Sequence, residues 1–313
     1  MSEQKIAFLF PGQGSQAVGM GRDLAEKFTV ARDTFAEADA ALGYPLSKLC
    51  FEGPAEQLKQ TEFTQPAIFA VSMAAYRVLV SRSIEPQIAA GHSLGEYAAC
   101  AAAGVMSFAD AIRALRSRGQ FMQEAVPEGQ GAMAAILGLD ADAVRGVCET
   151  AASETKEVVS PANLNSPEQT VISGSVAGVA RASEVAKEKG AKKVVPLQVS
   201  APFHCALMQP AQDRLAEVLK EIEVRDPRFS IVSNVTADVT KGGGRERDLL
   251  VEQVTAPVRW VASMRRMIEE GASYFVEVGP GRVLTGLLRQ IDRAQRCVHV
   301  EDSASLEKAL TGS

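Results

Sequence analysis

Five residues, Gly91–Gly95 (GHSLG), constrain the fold of this chain more than any other stretch. The apolar run Ile88–Ala90 precedes them with the composition of a buried strand, and the alanine-rich run Glu96–Ala103 follows with the composition of a helix. A Gly-x-Ser-x-Gly sequence between a strand and a helix is typical of an elbow that exposes a serine hydroxyl. Ser93 is therefore the predicted nucleophile, and the backbone N–H of Leu94, at the helix N-terminus, can face a developing oxyanion.

The composition sets limits on the class of protein. The chain has 313 residues, of which 46% are hydrophobic and 23% charged, so it can bury one large domain and a smaller one. Its net charge of −5 argues against nucleic acid as the main partner. We expect no apolar run of membrane-span length and see no signal-peptide pattern, which predicts a cytoplasmic protein with no membrane partner.

The cysteines do not form a recognisable framework. None of the five has Cys-x-x-Cys spacing, which favours reduced thiols over disulfides or a metal site. Cys205 is an alternative nucleophile because it adjoins His204, but neighbouring side chains point apart in most backbones.

The N-terminal strand ends in a glycine-rich turn. Residues 5–10 form an apolar run without alternation, as expected for a strand buried on both faces. Gly12 and Gly14 in the following turn match a loose dinucleotide-binding pattern. That fold needs a second strand with an acidic end about 20 residues later, whereas Asp23–Leu42 has the composition of a helix. A turn that brings Gln13 and its backbone amide toward a site is the favoured interpretation.

Two further helices are predicted around the elbow. One runs from Thr64 to about Arg82, with Pro66 in its first turn, where a missing N–H costs nothing. The other spans Phe108 to Gln123 with Ser107 as its N-cap, and it carries Arg118.

The pattern of elements changes between residues 128 and 199. Strands are predicted at 131–137, 158–163, 169–173 and 193–199, and helices at 141–152 and 176–189. This β-α-β-β-α-β order is that of a ferredoxin-like module. We predict a ferredoxin-like subdomain at 128–199, inserted in an α/β catalytic subdomain formed by 1–127 and 200–313.

The chain then returns to the larger subdomain through the motif 200–204 (SAPFH). A helix at 207–222 and a strand at 229–234 follow it, and Lys241–Gly244 is predicted to be a flexible surface turn. Tyr274–Val278 is predicted as the last strand, and it is buried.

A serine nucleophile needs a base, and the chain has only three histidines. His299 lies near the C-terminus, and the side chain of His92 is expected to diverge from Ser93. His204 follows a strand, at the sheet edge where active sites of open α/β folds gather, so it is the favoured base. Asp110, Asp140 and Glu168 lie between Ser93 and His204, but none closes an obvious strand. The group that orients the histidine is therefore expected to be a carbonyl or an amide.

Three motifs together resemble a known family. Phe10–Gln16 (FPGQGSQ), Gly91–Tyr97 (GHSLGEY) and 200–204 closely resemble the bacterial malonyl-CoA:acyl carrier protein transacylases of type II fatty acid synthesis. The resemblance continues to Val278–Gly281 and covers essentially the whole chain. It implies an α/β fold with an α/β-hydrolase-like large subdomain around a parallel sheet, plus an inserted ferredoxin-like small subdomain.

The resemblance also implies a mechanism, ping-pong transfer of a malonyl group through an ester on Ser93, with His204 as base. The partners would be malonyl-CoA and holo acyl carrier protein, the protein would be a monomer, and no cofactor or metal would be needed. The residues implied to bind substrate are Gln13 and Leu94 (oxyanion amides), Arg118 (malonyl carboxylate), Gln253 (orienting His204 through its carbonyl) and Asn163 (lining the cleft).

Two other classes of protein remain open from the residues. A serine hydrolase such as a thioesterase would admit water to the acyl-serine, and a non-catalytic acyl-binding module would need no elbow. An acidic carrier protein would also need a basic docking patch on this negatively charged chain. The candidate clusters are Lys192 with Lys193, and Arg289 with Arg293 and Arg296.

Overall fold

The computed structural model of the chain describes residues 5–199 and 201–311. Ser200, the first residue of the motif 200–204, lies outside this part. The strands are β1 (Lys5–Phe10), β2 (Ile88–Gly91), β3 (Gly131–Leu137), β4 (Val159–Ser166), β5 (Gln169–Ser175), β6 (Lys193–Pro196), β7 (Ser230–Val232), β8 (Val239–Thr240), β9 (Ala272–Val278) and β10 (Arg296–Val300).

The helices are α1 (Arg22–Lys27), α2 (Thr29–Leu42), α3 (Leu46–Glu52), α4 (Ala55–Leu58), α5 (Thr61–Ser81), α6 (Gly95–Ala103), α7 (Phe108–Glu124), α8 (Ala141–Thr155), α9 (Val176–Glu188), α10 (Gln209–Lys220), α11 (Gly243–Glu252), α12 (Trp260–Glu269), α13 (Val283–Ile291) and α14 (Ser303–Thr311). A short 3-10 helix, Ala206–Met208, precedes α10.

The larger sheet has the strand order β10-β9-β1-β2-β7-β8 and is parallel except for the β7–β8 pair. Residues Ala7–Phe10 of β1 are fully buried, as expected for a strand covered on both faces. Phe10 is in register with Gly91, so the carboxyl ends of β1 and β2 meet at one edge of the sheet. The glycine-rich turn after β1 and the serine elbow after β2 therefore share that edge.

The smaller sheet is antiparallel and has the order β4-β5-β3-β6. Its strands lie between residues 131 and 196, and α8 and α9 pack on one face through a separate apolar core. This order of four strands with two crossover helices is the predicted ferredoxin-like arrangement. The proposed boundaries at 128 and 199 enclose all of it.

Strand β4 of the smaller sheet is joined to the larger subdomain by backbone hydrogen bonds to Val258, which lies between α11 and α12. Leu164 N–H donates to the Val258 carbonyl (2.9 Å), and Val258 N–H donates to the Ala162 carbonyl (2.8 Å). This bridge fixes Asn163 of β4 against the segment that follows α11. The backbone of β4 is thus attached directly to the larger subdomain.

Helix α5 corrects the expectation that no segment reaches membrane-span length. Within the described residues it is the one helix long and apolar enough to cross a membrane, but 83% of its apolar stretch is buried inside the molecule. It begins at Thr61 rather than Thr64, since the Gln60 carbonyl already accepts the N–H groups of Phe63 and Thr64. Pro66 consequently lies in the second turn, and its predicted place in the first turn is wrong.

Three other sequence predictions of local structure are wrong. The helix expected over 23–42 is broken at Phe28, whose backbone is extended, into α1 and α2. Lys241–Gly244 is not a free turn, because α11 begins at Gly243, where a Cβ would lie 2.2 Å from the Arg225 carbonyl oxygen. The strand at 274–278 is not the last, since β10 pairs beside β9.

Candidate active site

The elbow is held by close backbone packing. Ser93 has a φ of 53°, a left-handed conformation that is costly for a residue other than glycine. A Cβ on Gly91 would lie 1.9 Å from the Gly95 carbonyl carbon, and a Cβ on Gly95 would lie 2.2 Å from the Phe10 carbonyl oxygen. Only glycine at these two positions lets α6 start directly above the ends of β1 and β2.

Asn234, just beyond β7, clamps the elbow from the side. Its Oδ1 accepts the Ser93 N–H (2.8 Å), and its Nδ2 donates to the Gly91 carbonyl (2.7 Å). Both ends of the strained turn are therefore tied to one buried side chain. This residue was not predicted from the sequence. The available signal was a polar side chain at the carboxyl end of a buried strand.

Ser93 and His204 form a hydrogen-bonded pair. Ser93 Oγ lies 2.8 Å from His204 Nε2, and His204 Nδ1 lies 2.9 Å from the Gln253 backbone carbonyl and 3.2 Å from that of Ala256. A carbonyl can only accept, so Nδ1 carries the proton and Nε2 is free to take one from the serine. The orienting groups are backbone carbonyls, as expected from the sequence, and no carboxylate is needed.

Burial sets the protonation state of the histidine. His204 is 3% exposed, and burial, with the nearby Arg118 charge as a second cause, lowers the pKa of His204 from 6.5 to about 3. The imidazole is therefore neutral at physiological pH, which is the form a general base requires.

Arg118 is the charged group next to Ser93. It is 1% exposed, and its Nη2 donates to Ser93 Oγ (3.1 Å) and to Gln253 Oε1 (2.9 Å). Its Nη1 donates to Gln65 Oε1 (2.9 Å). Among the described residues it forms no ion pair with a carboxylate, and burial lowers its pKa. The guanidinium is thus a sheltered cation held by neutral oxygens.

The predicted oxyanion amides border the same cavity. Gln13 and Leu94 line it together with Ser93 and His204, and its volume is about 370 Å³. Within the described parts of the chain, neither backbone N–H donates a hydrogen bond to another protein group. The loop after β1 is pressed onto the elbow, because a Cβ on Gly12 would lie 2.7 Å from the His92 carbonyl oxygen. Two amides without a protein acceptor among the described residues therefore border the same cavity as Ser93.

Asn163 faces this cavity from the smaller subdomain. Residues that were not predicted from the sequence also line it. Gln65 holds Arg118, Lys59 is an exposed cation at the cavity, and Met122 and Met133 add apolar surface. Periodicity alone gave no reason to select these side chains, since each lies in an ordinary helix, loop or strand.

The other histidines and Cys205 are not arranged to activate Ser93. His92 lines the cavity, but its Nε2 hydrogen-bonds Asn165 (2.8 Å) and its ring packs on Trp260. His299 lies on β10, 3.6 Å from Glu301. Cys205 is 1% exposed, and burial raises the pKa of its thiol, which disfavours the thiolate.

The dinucleotide alternative also fails, because α1 and α2 occupy the place of the second strand it requires. In the described part of the chain, no three His, Cys, Asp or Glu side chains cluster as metal ligands would.

Comparison with known proteins identifies the family. Residues 7–307 match the family described as the acyl transferase domain. The chain belongs to this acyltransferase family. This match, together with the named relatives and the solved structures, confirms the fold and the resemblance drawn from the three motifs.

Two relatives of this acyltransferase carry the same name. The chain is 51% identical to the malonyl CoA-acyl carrier protein transacylase of Escherichia coli K12 over 307 residues, which covers 98% of this chain and 99% of that one. It is 48% identical to the protein of the same name from Bacillus subtilis 168 over 306 residues, covering 98% and 96%.

Solved structures agree with this acyltransferase fold. An acyl carrier protein S-malonyltransferase from Vibrio cholerae has a TM-score of 0.95 at 48% identity, covering 98% of this chain and all of that one. A malonyl-transacylase in complex with its type II PKS acyl-carrier protein has a TM-score of 0.96 at 47% identity, covering 99% and 100%.

Proposed function

We propose that this protein transfers the malonyl group from malonyl-CoA to the phosphopantetheine thiol of holo acyl carrier protein, through an ester on Ser93. The reaction supplies chain-extender units for fatty acid biosynthesis. The observation that carries the proposal is the buried guanidinium of Arg118, which lies 3.1 Å from Ser93 Oγ and forms no ion pair with a carboxylate of the described residues. The names of the relatives point to the same reaction.

Acylation follows from the Ser93–His204 pair. His204 Nε2 takes the hydroxyl proton while Oγ attacks the thioester carbonyl, and the oxyanion receives hydrogen bonds from the Gln13 and Leu94 amides. When the carbon–sulfur bond breaks, His204 returns the proton to the CoA sulfur. The carrier-protein thiol then attacks the ester, with His204 accepting its proton and Ser93 leaving as the hydroxyl.

Selection of malonyl rests on Arg118 in this proposal. Malonyl differs from acetyl by one carboxylate, and a planar guanidinium binds a carboxylate through two parallel hydrogen bonds. In a closed site such a pair contributes more than the ~0–1 kcal/mol of an exposed pair. The ionic partner of Arg118 would thus be supplied by the substrate.

We further propose a monomer that works in the cytoplasm without a cofactor or metal. Proton transfer and covalent catalysis by Ser93 and His204 provide all the chemistry that the exchange of one thioester for another requires. All five cysteines are free thiols, four of them buried, which suits a reducing compartment.

Intact mass spectrometry tests the proposal. Incubation with malonyl-CoA should add one malonyl group to the wild-type protein, and holo acyl carrier protein should remove it and gain the same mass. Ser93→Ala should acquire no malonyl group, and His204→Ala should acylate at least ~10²-fold more slowly. Loss of the adduct to water at the same rate with and without carrier protein would identify a hydrolase and refute the transferase. A malonyl adduct on Ser93→Ala would place the nucleophile elsewhere.

A further inference from the structure

Glu96 is a buried acid directly behind the nucleophile that the mechanism above does not use. It belongs to the first turn of α6 and is fully buried. Its carboxyl accepts a hydrogen bond from Gln253 Nε2 (2.5 Å) and another from the Asn234 N–H (3.2 Å). It does not line the substrate cavity. Any effect of Glu96 on the reaction must therefore pass through another side chain.

The Gln253 amide has one orientation in this environment. Its Nε2 lies 2.5 Å from Glu96 Oε2 and 3.0 Å from the Ser93 carbonyl oxygen, and both oxygens act as acceptors. The NH2 group must point toward them, so Oε1 must point the other way. On that side it accepts the Arg118 Nη2 at 2.9 Å. Glu96 thus determines that Gln253 presents its Oε1, and not its Nε2, to Arg118.

The opposite orientation would abolish the arginine contact. With its NH2 toward Arg118, Gln253 would place a donor against a donor, and the guanidinium would lose one of the two amide oxygens that hold it. The other is Gln65 Oε1, on Nη1. A carboxylate that binds through two hydrogen bonds requires a fixed plane of the guanidinium. Loss of the hydrogen bond at either Nη1 or Nη2 would therefore let the guanidinium turn away from the substrate.

Glu246 is a second buried acid near Glu96, and its charge affects the protonation of Glu96. Burial raises the pKa of both carboxyls, and the Glu246 charge raises that of Glu96 further. Glu246 Oε1 accepts the Cys100 thiol (3.4 Å). Both shifts in pKa favour the protonated carboxyl over the carboxylate. Glu96 therefore acts mainly as a hydrogen-bond acceptor toward Gln253, and a neutral amide of the same length can replace it.

We propose that Glu96 is a positioning residue for malonyl selection. Through the side chain of Gln253, it holds the Arg118 guanidinium toward Ser93. This inference rests on the proposed role of Arg118 as the carboxylate-binding group. The Gln253 side chain would act on Arg118, while its backbone carbonyl orients His204.

The ratio of kcat/KM for malonyl-CoA to that for acetyl-CoA tests the proposal, since a purely structural role would lower both values equally. We expect Glu96→Ala to lower this ratio about tenfold, the effect of one lost hydrogen bond in a charged network. Glu96→Gln should restore it to near the wild-type value. The double variant Glu96→Ala/Arg118→Ala should have a ratio no lower than that of Arg118→Ala alone, because both changes remove the same interaction.

A matched control is another buried acid, Glu277, whose carboxyl accepts the N–H groups of Leu284 and Thr285 at the start of α13. Glu277→Gln should leave the ratio unchanged. If Glu96→Ala does not fold, Gln253→Leu gives the same readout, since it removes the side-chain contact and keeps the backbone carbonyl. An unchanged ratio in the folded variant overturns the inference. If Arg118→Ala itself leaves the ratio unchanged, the proposed role of Arg118 fails with it.

Discussion

At the scale of single residues, the site combines a neutral base with a permanent cation. Arg118 stays charged because its ordinary pKa lies so far above neutrality that burial lowers it without discharging it. The same charge, after burial, is the second cause of the lowered His204 pKa. In the proposed reaction one guanidinium therefore both attracts the substrate carboxylate and, together with burial, keeps His204 unprotonated.

Arg118→Ala should separate the two substrates. We expect malonyl transfer to fall ~10²-fold or more while acetyl transfer holds or rises, because only malonyl loses an ionic partner. Arg118→Lys should recover part of the malonyl activity, since an ammonium cannot form the two parallel bonds. Steady-state kinetics with malonyl-CoA and acetyl-CoA on the same preparations measure this. Equal losses for both substrates would make Arg118 a structural residue.

The pH dependence of acylation should reflect the His204 pKa. Because folded His204 titrates at about 3 instead of 6.5, the rate of malonyl-enzyme formation should not fall as pH decreases through 6.5. The unfolded chain binds that proton near 6.5, so His204 instead lowers the free energy of unfolding as pH falls from about 6.5 toward 3. Rapid-quench acylation and denaturant titrations at each pH test both parts. A rate that halves at pH 6.5 would contradict the low pKa.

At the scale of elements, the junction of β1, β2 and α6 positions Ser93. The helix begins two residues after Ser93, at a distance from the strands that admits no side chain at Gly91 or Gly95. Asn234 and Gln253 then bind the Ser93 backbone from the two sides, through its N–H and its carbonyl. Such tight constraint can hold the left-handed backbone of Ser93, which costs of order 1–3 kcal/mol.

Gly95→Ala should be severely destabilising. Its Cβ would lie 2.2 Å from a backbone oxygen that cannot move without shifting β1, so we expect a loss of about 3 kcal/mol in the free energy of unfolding and little acylation. Gly146→Ala is the matched control, because Gly146 lies inside α8 and a Cβ added there would meet no atom within 4 Å. It should gain about 0.5–1 kcal/mol. Equal effects in urea titrations would refute the packing argument.

At the scale of the whole molecule, residues of both subdomains line the cavity. A docking patch for a carrier protein must lie near the cavity, which only part of the molecular surface does. The cavity lies at the carboxyl ends of β1 and β2. Arg296 begins β10 and is in register with Tyr274, which in turn pairs with Ile6 near the start of β1. The cluster Arg289, Arg293 and Arg296 therefore lies at the opposite edge of the sheet. Its candidacy for carrier-protein docking is weakened accordingly.

Charge reversal distinguishes the two basic clusters. Lys193 begins β6, and Leu197, four residues later, lines the cavity, a separation of roughly 13 Å along an extended chain. We expect Lys192→Glu/Lys193→Glu to raise the KM for holo acyl carrier protein several-fold and to leave acylation by malonyl-CoA unchanged. Arg289→Glu/Arg293→Glu should change neither. An unchanged KM in the lysine variant would exclude that cluster, and a raised KM in the arginine variant would favour the other face.

The sequence by itself determined the elbow, the order of elements between residues 128 and 199, and the family. A strand, a glycine-flanked serine and a helix are local features, so residues adjacent in the sequence are sufficient to predict them. The choice of His204 among three histidines followed from its position after a strand. The two-subdomain architecture followed from the β-α-β-β-α-β order of 128–199.

Only the tertiary structure decided which groups surround the reacting atoms. Asn234, Gln65 and Glu96 are 141, 28 and 3 residues from Ser93 along the chain, yet all belong to the network around it. The burial that lowers the His204 pKa and leaves Arg118 unpaired also depends on packing between distant segments. Such effects arise from desolvation and from the direction of hydrogen bonds, which sequence spacing does not encode. The elbow can therefore be predicted from the sequence, whereas the pKa of His204 and the burial of the Arg118 charge depend on the tertiary structure.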